Sequence, residues 1–460
     1  MKKRAGICLI GLASALGLTF SIGAHAAPTQ PVAAASDTTA PIVFVPGDGD
    51  GRGFWMTQIW RFEVNGYPSD RLFSVAIPHP VARTDDAVEE VNRSSTAEAA
   101  DAVRTAVDDA LAVSAPGAKA VIVASGRGCQ TARNYVRNGG GAAKVARMVL
   151  AGCTHKGLFV DPADRLGSEY NGAGAFLTAL NAPPEVPAGI PVTVIRSDAA
   201  DLYAQPDGRF AGRPGAATGL SFDGQELKGA ETVVLPGADG RETATSLEAF
   251  IAIYKAVTGT PPGKVALLPE DQPVLSGAIT GWENGAPTNL GLPGAQLTIH
   301  AVDPLTGERI GKPVLDEKAG PNGEWGPFTA LPGQTYEFVV TAAGYPLTRI
   351  YRSPFPRSSR VVDLRLFPAA AATVNGAVLA GETVGIMRPL GYFGVDDTAL
   401  VDGQPLAGRP AGDPAPSVWI SAVAVPGPAR SVEANFALEA IAAQTTPQDP
   451  ADVAWIEFTD

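Results

Sequence analysis

Nucleophilic acyl transfer needs a serine or cysteine beside a base, with donors for the oxyanion that develops. The stretch of this chain that comes nearest is Val121-Ile-Val-Ala-Ser-Gly-Arg-Gly-Cys129. A Gly-x-Ser-x-Gly turn between a strand and a helix is the frame that exposes such a serine. Set in that register, the five positions are Ala124, Ser125, Gly126, Arg127 and Gly128, so the nucleophile slot holds a glycine. Ser125 lies one residue away, and a one-residue shift at a sharp turn aims a side chain elsewhere. A base is equally scarce. Beyond residue 26 the histidines are His79, His155 and His300. His79, in Ile77-Pro-His-Pro80, reads as a surface turn residue, and His300 falls in a β-rich region. His155 follows a predicted central strand on the same rim as the turn, so it alone can stand in as a base.

Two further groups bear on the same chemistry. The segment Ile195-Arg-Ser-Asp-Ala-Ala-Asp-Leu-Tyr203 supplies an acid, best placed at Asp201 with Asp198 the alternative. Asp48-Gly-Asp-Gly51 hints at a calcium loop, but the full ligand pattern is not completed, so it reads as a rim loop. Backbone amides at Gly47, Asp48 and Arg127 can line an oxyanion-type pocket, which binds a carbonyl or carboxylate without cleaving it. Trp55, Trp60 and Phe62 read as core packing, with an apolar acyl-binding wall as the alternative.

The elements that must position these residues alternate from 41 to about 259. Strands are expected at Ile42–Val45, Leu72–Ile77, Ala120–Ala124, Ala146–Gly152, Val192–Ile195 and Thr232–Leu235. Between the second and third, Ser95 and Glu98 fit a capping box, and Val103, Val107 and Leu111 share a helical face. A second helix follows Gly126 and a third spans about Ser246 to Val257. Continuous apolar strands between helices imply a mostly parallel sheet covered on both faces. Thr260-Pro-Pro-Gly263 reads as a linker. From 264 to 367 helical periodicity is absent, and runs such as Thr335–Thr341 between turns such as Gly320-Pro-Asn-Gly323 suggest a small β-sandwich. Residues 368–460 carry further strand signals, at Val418–Val425 and Val432–Leu438, and read as a third β unit or an extension of the second.

Length and composition set bounds. At 460 residues the chain exceeds what one core usually supports. With 52 Gly, 40 Pro and 18% charged residues, a turn-rich and strand-rich chain is favoured over a helical bundle. Residues 1–26 read as a secretory signal peptide. Lys2, Lys3 and Arg4 precede an apolar run, and Ala24-His25-Ala26 offers a small-x-small cleavage site. Residues 27–40 read as a flexible lead-in. Signal removal takes the formal net charge from −12 to about −15, which excludes a basic nucleic-acid surface. No later run is long enough to span a bilayer. Cys8 leaves with the signal, so an exported chain keeps Cys129 and Cys153. They sit near the ends of neighbouring predicted strands and are expected to pair, with two buried thiols as the alternative. No metal site and no cofactor are expected, since two cysteines fall short of the usual four ligands.

Several blocks together resemble secreted bacterial lipase/esterase-like α/β-hydrolases. Pro41-Ile-Val-Phe-Val-Pro-Gly47 is similar to the first strand and its oxyanion loop. Trp60-Arg-Phe-Glu-Val-Asn-Gly-Tyr67 is similar to the segment that follows. Ser125-Gly-Arg-Gly-Cys-Gln-Thr-Ala-Arg-Asn-Tyr135 is similar to the nucleophile elbow and its helix, and Ile195–Tyr203 to the acid strand. Leu235-Pro-Gly-Ala-Asp-Gly-Arg-Glu-Thr243 is similar to the triad-histidine loop. Residues 264–367 resemble transthyretin-like or carboxypeptidase-regulatory-like sandwiches. The first resemblance implies an α/β-hydrolase fold over 41–259, followed by β-rich C-terminal domains at 264–367 and 368–460. The departures fall on the chemistry: Pro46 replaces a histidine, Gly126 the nucleophile and Gly240 the triad histidine, while the acid is retained at Asp201. The implied protein is exported, secreted or periplasmic, and catalytically degenerate, and it acts by binding an ester, lipid or cell-envelope component. Two alternatives remain open. One is an active carboxylic-ester hydrolase with a relocated site of Ser125, His155 and Asp201. The other is an extracellular adhesion or scaffold protein working through its β modules.

Overall fold

In the computed structural model, residues 39–201, 203, 205–208, 215–368, 373, 374, 377, 378, 383–393, 397–406, 420–445 and 452–459 are described. The export signal expected over 1–26 lies outside them, as do residues 27–38 of the lead-in. The first half of the chain runs β1 (Ile42–Val45), α1 (Met56–Val64), β2 (Leu72–Ser74), α2 (Thr96–Ala112), β3 (Ala120–Ser125), α3 (Arg127–Asn138), β4 (Val145–Ala151), α4 (Ala175–Leu180), β5 (Val192–Arg196), β6 (Glu231–Val234), α5 (Glu242–Thr245) and α6 (Leu247–Thr258). The six strands form one sheet in the order β2-β1-β3-β4-β5-β6, and every neighbouring pair is parallel.

Both faces of this sheet are covered, which is why its central strands carry continuous apolar runs rather than strict alternation. Val43, Val45, Ile122 and Ala124 face one core, closed by Val103 and Val107 of α2 and Ala132 and Tyr135 of α3. Ile42, Phe44, Val121 and Val123 face the opposite core, closed by Phe62 of α1 and Phe250 and Ile253 of α6. The expected capping box starts α2: the Ser95 hydroxyl accepts the Glu98 amide, and the Glu98 carboxylate accepts the Ser95 amide. Helix α6 begins with Ser246, whose hydroxyl accepts the Ala249 amide, and ends at Gly259 in the left-handed region.

The second half is all strand: β7 (Val274–Glu283), β8 (Ala286–Gly291), β9 (Gln296–Val302), β10 (Leu315–Lys318), β11 (Glu324–Thr329), β12 (Thr335–Thr341), β13 (Thr348–Arg352), β14 (Leu364–Arg365), β15 (Thr373–Val374), β16 (Ala377–Val378), β17 (Thr383–Met387), β18 (Ala399–Val401), β19 (Gln404–Pro405), β20 (Ile420–Ala424), β21 (Ser431–Phe436), β22 (Glu439–Gln444) and β23 (Val453–Glu457). A seven-stranded sheet, β10-β9-β12-β13-β23-β17-β20, packs against a sheet of β11, β7, β14 and β8. The last strand, β23, lies parallel between β13 and β17. It puts Val453 and Trp455 into one core and Ala454 and Ile456 into another. The region after 367 therefore extends the sheet before it and adds a second sheet, β19-β18-β21-β22.

The halves are stitched together. Met56 and Trp60 of α1 enter the sandwich core, and the Trp60 indole donates to the Ser358 carbonyl at 2.8 Å. Arg52 pairs with Asp363 at 2.7 Å and Arg357 with Glu63 at 3.3 Å. Asn289 donates to the carbonyls of Asp50 and Ile77.

Candidate functional site

Strand β3 passes into α3 through one residue, Gly126, with φ +52° and ψ −124°. That backbone is strained for any L-residue. It is also the sharp conformation in which a strand-to-helix turn lifts a side chain clear of the sheet. A Cβ at 126 would meet only the Gly47 Cα, at 3.5 Å. The loop after β1 therefore lies directly beside the turn, with room left for a side chain. Ser125 is the last residue of β3, buried and paired in register with Ala151 of β4.

Arg127 opens α3, so its amide belongs to the first turn, whose donors have no partner within the helix. Its side chain has a different task. The guanidinium is buried and forks onto Glu169, with Nε and Nη2 each 2.9 Å from a carboxylate oxygen. Its remaining donors reach the Ser94 hydroxyl, the Ser94 carbonyl and the Pro80 carbonyl. Burial works against this charge, but Glu169 outweighs it and holds the Arg127 pKa above its ordinary value. A disulfide between Cys129 and Cys153, with Cα atoms 5.9 Å apart, ties the first turn of α3 to the segment after β4.

Asp201 stands beside Gly240. Asp201 is buried after β5, and its Oδ1 accepts the Tyr203 amide at 3.0 Å. A Cβ at Gly240 would stand 3.4 Å from that same oxygen, an ordinary contact. Asp198 instead braces two loops, accepting the amide of Ala200 in its own loop and that of Gly237 in the loop after β6. The loop carrying Gly240 presses on the end of β4. Gly152, at φ +60°, would put a Cβ 2.0 Å from the Gly240 carbonyl, so only glycine permits this approach.

His155 is fully buried, and neither ring nitrogen has a hydrogen-bond partner. Burial, with Arg133 and Lys156 nearby, holds its pKa well below the usual range, so the imidazole is neutral. No hydrogen bond joins it to Ser125, and the structure does not bring Ser125, His155 and Asp201 into a bonded relay among the described residues. His79 is half-buried in a turn, and His300 lies on β9. In the rim loop, the Asp48 carboxylate accepts the Ala82 amide at 2.9 Å. Asp50 pairs with Arg241 at 2.6 Å. The acidic pair thus orders a loop. Trp55 and Phe62 lie in the core against Phe44.

Residues 272–368 match the Lipase C-terminal domain family. The chain joins a parallel sheet with an elbow-type turn, the arrangement of an α/β-hydrolase fold, to a β-rich region that matches the lipase C-terminal domain family over residues 272–368. None of the curated proteins compared matches it. Solved structures resemble it distantly. Lipase B of Aspergillus fumigatus is 14% identical with a TM-score of 0.33, the match covering 49% of this chain and 54% of that one. Phospholipase PlaB of Legionella pneumophila is 13% identical with a TM-score of 0.34, covering 72% and 94%. A Bacillus licheniformis lipase is 12% identical with a TM-score of 0.31, covering 45% and 87%. The hydrolase fold is carried by this chain's own parallel sheet and elbow rather than by these low-scoring likenesses.

Where the hydrolase rim meets the lipase C-terminal domain lies a cavity of about 270 Å³. Asp48, Asp50, Tyr203 and Arg241 line it from the hydrolase side, Thr280, Trp282 and Arg365 from the lipase C-terminal domain, and Met387, Tyr392 and Phe458 from the last region. The sequence reading missed the contributors beyond residue 264. Arg365 and Thr280 are 85 residues apart in the chain and become neighbours only because β14 pairs with β7. Within the hydrolase half, the signals were the Asp48-Gly-Asp-Gly51 rim loop, Tyr203 at the end of the acid segment, and Arg241 directly beside the Gly240 position.

Proposed function

We propose that this protein is a catalytically degenerate α/β-hydrolase that works by binding an ester, lipid or cell-envelope component outside the cytoplasm. One observation carries the reading: the elbow conformation and the acid are both retained, yet the two positions that need side chains, Gly126 and Gly240, have none. A carboxylate such as Asp201 orients a histidine and stabilises its charge. With glycine at 240 it has no imidazole there to act on. Backbone amides beside the elbow remain available for a carbonyl or carboxylate oxygen, so recognition survives without cleavage.

The relocated site of Ser125, His155 and Asp201 is the competing reading. It asks a buried neutral imidazole with no bonded partner to deprotonate a buried hydroxyl. Purified protein lacking residues 1–26 is expected to leave short-chain nitrophenyl esters at their uncatalysed rate and to escape labelling by a fluorophosphonate. Turnover abolished by Ser125→Ala and indifferent to change at Gly126 would overturn the proposal in favour of the relocated site.

A further inference from the structure

We propose that the cavity between the hydrolase rim and the lipase C-terminal domain is a binding site for a monocarboxylate with an apolar tail, with Arg365 as its counter-ion. The inference goes beyond the reading above, since it holds whether or not the chain hydrolyses anything.

Three side chains lining the cavity carry buried polar atoms with no hydrogen-bond partner among the described residues: Thr280 Oγ1, Trp282 Nε1 and Arg365 Nε. They come from one ladder. Arg365 of β14 stands opposite Thr280 of β7, and Trp282 is two residues further along β7. Thr280 is 3% exposed. Buried donors left unpaired are rare and costly.

The charge balance selects the ligand's head. Three carboxylates of the lining already hold cations: Asp50 with Arg241 at 2.6 Å, Asp363 with Arg52 at 2.7 Å and Glu457 with Arg352 at 2.8 Å. The fourth, Asp48, accepts the Ala82 amide and lies 4.0 Å from Arg127. Arg365 reaches only neutral oxygens, the Gly49 carbonyl and the Asn289 side chain. Among the described residues no carboxylate forms an ion pair with it. Burial lowers its pKa from the ordinary arginine value, with Asp50 and Asp363 offsetting part of the effect. A buried guanidinium in this state is stabilised by one incoming anion, and the carboxylates around it disfavour a dianion. The planar fork of arginine matches a carboxylate. Phe54, Phe367, Met387, Leu390 and Phe458 supply apolar wall for a tail. The space equals that of roughly nine waters, which suits a medium-chain acid and excludes a whole triacylglycerol.

The test is calorimetric titration of the chain from residue 27 onward with decanoate, decanol and decyl phosphate. Decanoate is expected to bind with Kd below about 1 mM, and Arg365→Gln to weaken it about tenfold or more. Thr280→Val, close in shape and so able to fold, is expected to weaken it several-fold, while decanol binds more weakly than the acid. Circular dichroism melts identify a variant that has not folded, in which case Thr280→Val decides. No decanoate binding by the wild type, equal binding of decanol, tighter binding of decyl phosphate, or indifference to both substitutions would each overturn the proposal. Fluorophosphonate labelling, run separately, reports on the degenerate-catalyst reading, so the two fail independently.

Discussion

At the elbow, Gly126 and Gly240 leave a catalytic-type backbone without its side chains. At the junction cavity, Arg365 Nε, Thr280 Oγ1 and Trp282 Nε1 are buried without a hydrogen-bond partner among the described residues. The contrast separates two things that a working site needs together. Backbone geometry at the elbow is over-determined by its surroundings: the Arg127–Glu169 fork, the Cys129–Cys153 bridge and the sheet hydrogen bond from the Gly126 amide to the Ala151 carbonyl. Such a frame holds its shape whatever side chain stands at 126 or 240. The cavity is the opposite case in energy terms, because buried donors without partners and a guanidinium with no ion pair among the described residues cost stability.

The largest expected effect tests how firmly the elbow is held. Glu169→Ala removes the forked partner of buried Arg127 and leaves only Asp48, 4.0 Å away, as counter-charge; it is expected to cost about 3 kcal/mol, read as a fall in the urea midpoint. Replacing both partners with apolar residues of similar volume should cost far less. If the single change is nearly silent, the fork does not hold the frame. Next, Cys129→Ser with Cys153→Ser removes a link across 24 residues and is expected to cost about 2–4 kcal/mol, measured by chemical denaturation of the oxidised protein and the variant side by side.

The joint between the two regions should be sensitive to pH. Asp239, fully buried, accepts the amides of Arg241, Glu242 and Tyr392, so it ties the loop of Gly240 to the cavity wall. Burial, and then the Glu242 carboxylate, push its pKa up to about 7, against the ordinary 3.8, with Arg388 pulling the other way. A raised carboxyl pKa means that the folded state holds the proton more tightly. Stability from this group is therefore full below about 4 and lost as pH rises towards 7. Thermal melts across that window are expected to show the decline, and Asp239→Asn to flatten it. An unchanged slope in the variant would place the titration elsewhere.

The smallest effect is the most pointed. Gly126→Ser should fold at a strain cost of about 1–3 kcal/mol, because its Cβ has space beside Gly47. Alone it should gain no esterase activity, and neither should Gly240→His. Together they are expected to give weak, non-additive turnover of nitrophenyl esters, since triad members act as a unit. Full activity from Gly126→Ser alone would mean that a base already serves the elbow, and the contrast between the two regions would collapse.

Much of the hydrolase half was legible in the residues. Continuous apolar runs announced β1, β3 and β4, because a strand buried on both faces cannot afford polar alternation. The Ser95–Glu98 box announced the start of α2. The register that put Gly126 in the turn agrees with its positive φ, since a local pattern and a local dihedral are set by the same few residues. Strand ends were less exact: Leu72–Ile77 was expected and only Leu72–Ser74 pairs with β1, although β1 itself runs on to Val45. The fate of residues beyond 367 could not be read either. Nothing near Val453–Glu457 says that it inserts between β13 and β17, more than 60 residues away in sequence.

Sequence alone thus determined the hydrolase sheet, the absence of side chains at Gly126 and Gly240, and the pair of cysteines available to bridge. Each of these is a matter of residue type or short-range pattern. Tertiary structure decided which carboxylate faces Gly240, that Arg127 spends its guanidinium on Glu169, that His155 is sealed in the interior, and that Arg365, Thr280 and Trp282 share one cavity. These depend on contacts between distant segments, and burial and charge pairing are properties of the surroundings rather than of the residue.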